Sequence, residues 1–181
     1  MKLDSLYPDV AFYGAPGVGK TTAAGFAEQI GYTRISFAGW HKGGLRDIVW
    51  RMGLDPNDRR TLNIIGMAGR EADSDVWVRQ FLAEATLAGL PVVNDDLRGD
   101  NEWTALRAAG FVFVHLMAPN AVREERLRLN GKLEGSDAPF LWLLEDAMRY
   151  HPDHVLTNDG SEEELYAGIT DILNQERSKR A

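Results

Sequence analysis

Apolar positions along this chain alternate between two patterns. Short continuous runs read as buried strands, and longer stretches with apolar residues three and four apart read as helices. Val10 to Tyr13 is the first run, closed by Gly14. Thr21 to Ile30 follows at helical spacing through Ala23, Phe26, Ala27 and Ile30, and Gly31 stops it. Thr33 to Phe37 predicts a second strand. From Trp40 to Ala88 the pattern is helical, with breaks expected near Asp55-Pro56-Asn57 and around Gly66 to Gly69. Pro91 to Asn94 predicts the third strand, Asn101 to Ala109 a helix ended by Gly110, and Phe111 to Leu116 the fourth strand. Two helices are expected next, a charged one over Ala121 to Asn130 and an apolar one over Pro139 to Tyr150. His154 to Thr157 predicts the fifth strand. The last helix opens on Ser161-Glu162-Glu163-Glu164, where Ser161 and Glu164 can satisfy each other's free backbone N–H groups. Leu165, Ile169 and Ile172 supply its buried face.

Strands separated by helices imply an α/β fold, a parallel sheet wrapped on both faces. Ligands in such sheets collect beyond the carboxyl ends of the strands, so polar residues that follow strands deserve scrutiny. The 181 residues suit one domain, and 44% hydrophobic with 26% charged residues is globular usage. With 27 acidic against 20 basic side chains the net charge is -7, which argues against a nucleic acid polymer as partner. Cysteine is absent, so thiolate metal sites and cysteine nucleophiles are excluded. No apolar run is long enough to span a membrane. Met1 to Asp9 carries Asp4 and Asp9 and reads as no secretory signal. A cytoplasmic location is the expectation.

The sharpest local signal is Gly14-Ala15-Pro16-Gly17-Val18-Gly19-Lys20-Thr21, a G-x-x-x-x-G-K-[ST] phosphate loop between a predicted strand and a predicted helix. Its glycines let the backbone of Gly14, Gly17, Val18 and Gly19 curl around an anion with N–H groups inward. The following helix adds its positive end. Lys20 is placed to reach the β- and γ-phosphates of ATP, the Thr21 hydroxyl to bind Mg²⁺, and Thr22 is a further candidate nucleotide contact. After the third strand come Asp95-Asp96-Leu97-Arg98. A strand-end Asp there is placed to organise Mg²⁺ or the acceptor, with Asp96 the first candidate and Asp95 the second. Their side chains diverge if the strand runs through both. Asp96-Leu97-Arg98-Gly99 imitates a GTPase switch, but no N-K-x-D guanine reader is present, and no Glu follows the Asp pair as in hydrolytic motors. The charged helix presents Arg123, Arg126 and Arg128, with Arg123 and Arg126 on one face. Such arginines fit a lid that stabilises a transferring phosphoryl group while excluding water.

These segments, in order, make the chain resemble the deoxynucleoside monophosphate kinases of bacteriophages, within the nucleoside monophosphate kinase group. Ser36-Phe37-Ala38 with Lys42 beyond is similar to that family's S-F-A segment and its following lysine. Gly66 to Arg70 and Asp75-Val76-Trp77-Val78-Arg79 are similar to its G-x-x-x-R and D-x-W-V-R stretches. Asp96-Leu97-Arg98-Gly99-Asp100-Asn101-Glu102 is similar to D-V-R-F-P-N-E, and Asn158-Asp159-Gly160-Ser161 to N-D-G-[ST]. Two departures bear on substrate choice. Gly99-Asp100 replaces Phe-Pro, and Gly39-Trp40-His41 stands where Asp-Pro-Leu is usual.

The resemblance implies a three-layer P-loop NTPase fold with a five-stranded parallel sheet, an acceptor-binding helical segment at about 37–80 and a lid at about 120–150. It implies transfer of the γ-phosphate of ATP, with Mg²⁺, to a deoxynucleoside monophosphate. Lys42, Arg70 and Arg98 become candidates for holding the acceptor phosphate, with Arg46 and Arg79 behind them. Lys20 and Arg126 stabilise the transferring group, while Asn158 and Gly160 pass near adenine and Arg123 stacks on it. Trp77 either stacks on the acceptor base or belongs to a core stripe with Phe81 and Ala85. The stretch Phe140 to Leu144 is core or a homodimer interface. His115, in an apolar strand, reads as a core residue. Three alternatives stay open: a kinase of hydroxyl acceptors with Asp95 or Asp96 as base, a nucleotide-hydrolysing switch or motor, and a non-catalytic nucleotide-binding module.

Overall fold

The computed structural model describes residues 6–37, 44–131 and 150–181. Five parallel strands form one sheet in the order β2-β3-β1-β4-β5. They are β1 (Val10–Tyr13), β2 (Thr33–Arg34), β3 (Val92–Asn94), β4 (Val112–Met117) and β5 (His154–Thr157). The helices are α1 (Lys20–Ile30), α2 (Leu45–Arg51), α3 (Arg59–Ala72), α4 (Val76–Leu87), α5 (Asp100–Ala108), α6 (Asn120–Leu129) and α7 (Glu162–Arg180). β1 is central, pairing with β3 through Val10–Val93 and with β4 from Val10–Val112 to Tyr13–His115. All four of its residues are buried, which explains why it reads as an unbroken apolar run.

The two-residue alternation of strands appears as two separate cores. Val10, Phe12, Val112, Val114 and Leu116 pack with Ala23, Ala24 and Ala27 of α1 and Leu165, Ile169, Ile172 and Leu173 of α7. Ala11, Tyr13 and Phe113 face the other way, onto Leu45, Val49, Leu62, Trp77, Val78, Phe81 and Leu106 from α2 to α5. This is the expected three-layer α/β arrangement. Among the described residues, no helix is long and apolar enough to cross a membrane.

Most element boundaries follow the hydrophobic pattern, and α7 starts on the expected reciprocal cap. The Glu164 N–H donates to Ser161 Oγ at 3.2 Å, and the Ser161 N–H donates to Glu164 Oε2 at 2.8 Å. Two expectations are corrected. β2 ends as a ladder strand at Arg34, although the Ile35 N–H still donates to the Val93 carbonyl at 3.0 Å. The break expected at Gly66 to Gly69 does not exist, because α3 runs through both glycines to Ala72. The chain turns instead at Asp73 to Asp75, where Asp73 Oδ1 accepts the Asp75 N–H at 3.0 Å. The helix predicted over Pro139 to Tyr150, and with it Phe140 to Leu144, lies outside the described residues apart from Tyr150, which is not helical.

Trp77 accounts for Gly69 and binds the backbone of Gly66. Its indole N–H donates to the Gly66 carbonyl at 2.9 Å, and a Cβ on Gly69 would sit 2.7 Å from its ring. Gly69→Ala is therefore expected to destabilise the protein by about 1–3 kcal/mol through overpacking. Gly25→Ala, in α1 with no atom within 4 Å of the new Cβ, is expected to stabilise it by roughly 0.5–1 kcal/mol through helix propensity. Urea denaturation of both variants checks this, and shifts of the same sign would refute the packing account of Gly69.

Candidate active site

The phosphate loop leaves β1 at Gly14 and enters α1 at Lys20. Gly17 and Gly19 adopt φ of 83° and 97°, in the region side chains avoid. They are also sterically closed, since a Cβ on Gly17 would approach the Arg123 carbonyl to 2.9 Å and one on Gly19 the Asn158 amide nitrogen to 2.4 Å. Val18 is buried and anchors the loop in the α1–α7 core. Lys20 Nζ folds back over the loop, donating to the carbonyls of Gly14 at 2.8 Å and Ala15 at 3.0 Å. Beneath it, His115 stacks on Tyr13 at 4.7 Å between ring centroids. Burial first, and then the Lys20 charge, push the His115 pKa below its ordinary value. Thr22 lies in the first turn of α1. Gly160 borders the α7 cap, where a Cβ would meet Glu164 Oε2 at 1.8 Å.

The adjacent carboxylates diverge, and it is Asp95, the second candidate, that meets Thr21. Asp95 is buried, and the Thr21 hydroxyl donates to its Oδ2 at 3.3 Å. Arg34 grips Asp95 from β2, with Nε donating to Oδ1 at 3.1 Å and Nη2 bonded to Oδ2. Thr21 and Asp95, both hard oxygen donors, fit a Mg²⁺ ion shared with nucleotide phosphates. Asp96 turns the opposite way, as alternation along an extended chain requires. Its Oδ1 accepts from the Phe37 N–H at 3.2 Å and from Asn94 Nδ2 at 2.6 Å. It therefore faces the start of the predicted acceptor segment and not Thr21.

The Asp96 pKa is pushed up to about 7, mainly by burial and further by the charges of Asp95 and Glu102, against the opposing hydrogen bonds from Asn94 and Phe37. For a carboxyl with a raised folded-state pKa, the native state holds more protons than the unfolded chain between about pH 4 and 7. Stability is thus lost as pH rises through that window and levels off above it. In metal-free protein, Asp96→Asn is expected to stabilise by roughly 1–3 kcal/mol at pH 8 and by much less at pH 4. Denaturation curves across pH 4–8 test this, and a pH-independent difference would contradict the assignment.

Beyond β3, a buried carboxylate organises the candidate acceptor cations. Glu102 is 4% exposed. Its Oε2 accepts the N–H groups of Arg98 at 2.7 Å and Gly99 at 3.0 Å, and its Oε1 meets Arg70 Nη2 at 3.4 Å. Next to it, Asn101 Nδ2 donates to the Ser74 carbonyl and to Asp75 Oδ1, both at 2.8 Å, tying α5 to the α3–α4 turn. Arg98 is exposed, and among the described residues its guanidinium has no hydrogen-bond or ion-pair partner. Arg46 donates to Asn57 Oδ1 at 2.8 Å, and Arg79 is paired with Asp73 on the surface. Lys42 lies outside the described residues.

Two further expectations change. Trp77 is 6% exposed with its N–H already donated, so it packs in the core and offers no free face to a base. Arg126 is not a free lid arginine in this structure, because its Nη1 donates to the Asn158 carbonyl at 3.0 Å. Arg123, likewise, is buried against the phosphate loop. Arg34, Asn94 and Glu102 escaped the sequence reading. Glu102 carried a faint signal, three residues after Gly99 at a capping position. Arg34 carried none, since its partner is sixty-one positions away.

Neither a protein-family model nor a curated protein matches the chain. Solved structures do match in fold. A shikimate kinase from Acinetobacter baumannii in complex with shikimate aligns at TM-score 0.59 and 18% identity, over 93% of this chain and 94% of that one. A gluconokinase from Sinorhizobium meliloti aligns at TM-score 0.56 and 16% identity, over 98% and 100%. The Mycobacterium tuberculosis APS kinase in complex with AMPPNP and APS aligns at TM-score 0.50 and 18% identity, over 93% and 98%. At such identities the likeness is one of fold, a five-stranded parallel sheet with flanking helices.

Proposed function

We infer that this protein transfers the γ-phosphate of ATP to a small anionic acceptor, a deoxynucleoside monophosphate. One observation carries the choice of acceptor. Buried Glu102 gathers Arg70 and the backbone bearing Arg98 at the carboxyl end of β3, beside the phosphate loop. The guanidinium of Arg70, held by Glu102, and the exposed side chain of Arg98, carried on a backbone fixed by the same carboxylate, suit a phosphate dianion that must approach another polyanion. An acceptor phosphate oxygen attacks the γ-phosphorus in line, the bond to the β–γ bridging oxygen breaks, and ADP leaves. Phosphate oxygens are largely ionised near neutral pH, so no strong base is required. Thr21 and Asp95 would hold Mg²⁺, which would supply charge neutralisation to the nucleotide phosphates. Lys20 contributes a fixed cation to the same oxygens.

A second reading has one observation in its favour. Asp96 faces the acceptor side at Phe37, where a base for a hydroxyl acceptor belongs. The fold-level likeness to shikimate and gluconate kinases points the same way. The two readings separate on ADP release with Mg²⁺-ATP and a panel of deoxy- and ribonucleoside monophosphates, sugar acids and hydroxy acids. Turnover with a deoxynucleoside monophosphate that survives in Asp96→Asn supports the first. Turnover only with a hydroxyl acceptor, abolished in Asp96→Asn, supports the second. ADP release without any acceptor would sink both in favour of a hydrolase.

A further inference from the structure

A phosphate loop binds anions with its N–H groups, so its carbonyl groups must turn outward and find donors elsewhere. Lys20 serves the Gly14 and Ala15 carbonyls, and side chains from distant elements serve two more. Arg123 Nε, at the start of α6, donates to the Pro16 carbonyl at 3.0 Å. Asn158 Nδ2, after β5, donates to the Val18 carbonyl at 2.9 Å. Both residues are 6% exposed, too deep for the surface-charge role that their position on a polar helix and loop first suggests. Each is braced in turn. Arg123 Nη1 donates to Asn120 Oδ1 at 2.9 Å, and Arg126 Nη1 holds the Asn158 carbonyl at 3.0 Å. The same two residues stand where Cβ atoms on Gly17 and Gly19 would collide, so loop and braces fit each other on both sides.

We propose that Arg123 and Asn158, with Arg126 behind Asn158, are positioning residues that hold the phosphate loop in its polyphosphate-binding shape, and that they act on the triphosphate rather than on the base. The proposal rests on the nucleotide-binding reading of the loop. It replaces an adenine-stacking role for Arg123 with a backbone role that is blind to the nucleoside. A loop held in shape before binding spares the ordering cost that a slack loop would meet on each binding event. The two guanidinium groups also add positive potential next to the loop.

Calorimetric titration with Mg²⁺-ATP and with inorganic tripolyphosphate tests it on wild type, Arg123→Ala, Arg123→Lys and Asn158→Ala, each checked for folding by circular dichroism. Arg123→Ala and Asn158→Ala are expected to weaken both ligands by the same factor, about 10-fold. Arg123→Lys, which keeps a donor and the charge, is expected to recover part of the loss. A loss confined to ATP, with tripolyphosphate affinity intact, would overturn the proposal in favour of direct base contact. Wild-type affinity for both ligands in Asn158→Ala and Arg123→Ala would overturn it as well. Wild-type protein that binds neither ligand would instead bring down the nucleotide-binding reading, and the proposal with it.

Discussion

Lys20→Ala is expected to lower phosphate transfer from ATP by at least about 10²-fold, the effect of removing one fixed charge-stabilising donor from a transition state. In this structure Lys20 Nζ is held over the loop by the carbonyls of Gly14 and Ala15, at 2.8 and 3.0 Å. Its amine is thus placed before any nucleotide arrives, which is the preorganisation that makes such a donor effective. The loss should fall mainly on kcat, because the loop's N–H groups and the start of α1 still bind phosphate without it. Lys20→Arg is not expected to restore activity, since a planar guanidinium does not fit the space of a point charge folded over two carbonyls.

A second measurement on the same variant is independent of activity. His115 sits close enough to Lys20 for the lysine charge to help keep its pKa low. Removing that charge should raise the His115 pKa, although burial will still hold it below the ordinary value. Proton NMR titration of the imidazole reads this directly. Unchanged turnover in Lys20→Ala would refute the catalytic assignment, and an unchanged His115 titration would refute the geometry.

What could be read from the chain and what could not divide along one physical line. Features encoded within a few residues were legible. The Gly14–Thr21 loop, the buried run of β1 and the Ser161–Glu164 cap each depend on neighbours in sequence, and each stands where it was expected. Features set by partners far along the chain were not. Gly69 looked like a helix breaker because Trp77, which needs the room, is invisible to local pattern. Asp96 was preferred over Asp95 for the metal because nothing local says which side of an extended strand end faces Thr21. The register of β3 beside β1 decides that, and the grip of Arg34 on Asp95 follows from the β2–β3 pairing. Arg123, Arg126 and Asn158 were expected to face the nucleotide. Arg123 and Asn158 face the loop's own backbone instead, through contacts that link positions more than a hundred residues apart, and Arg126 braces Asn158 from behind.

Glu102→Ala should produce the other large effect, and on two observables at once. The buried carboxylate satisfies the N–H groups of Arg98 and Gly99 and pairs with Arg70. Removing it leaves two backbone donors and a half-exposed guanidinium without their partner, which is expected to cost about 2–4 kcal/mol of stability. It also frees the loop bearing Arg98 and the side chain of Arg70 to move independently, so one carboxylate no longer fixes both. The acceptor KM is then expected to rise by about 10-fold or more, while the KM for ATP stays near wild type, because the phosphate loop is braced by other residues. Glu102→Gln separates the two effects. Its amide oxygen can still accept from the Arg98 N–H, so most of the stability should return. It cannot attract Arg70 as a carboxylate does, so part of the acceptor defect should persist. Steady-state kinetics at saturating ATP, at a temperature well below the variant's melting point, gives the acceptor KM free of unfolding. Equal changes in both KM values would mean that Glu102 supports the whole domain rather than the acceptor side. An unchanged acceptor KM in Glu102→Ala would remove the observation on which the phosphate-acceptor reading stands, and would shift the weight to Asp96 and a hydroxyl acceptor.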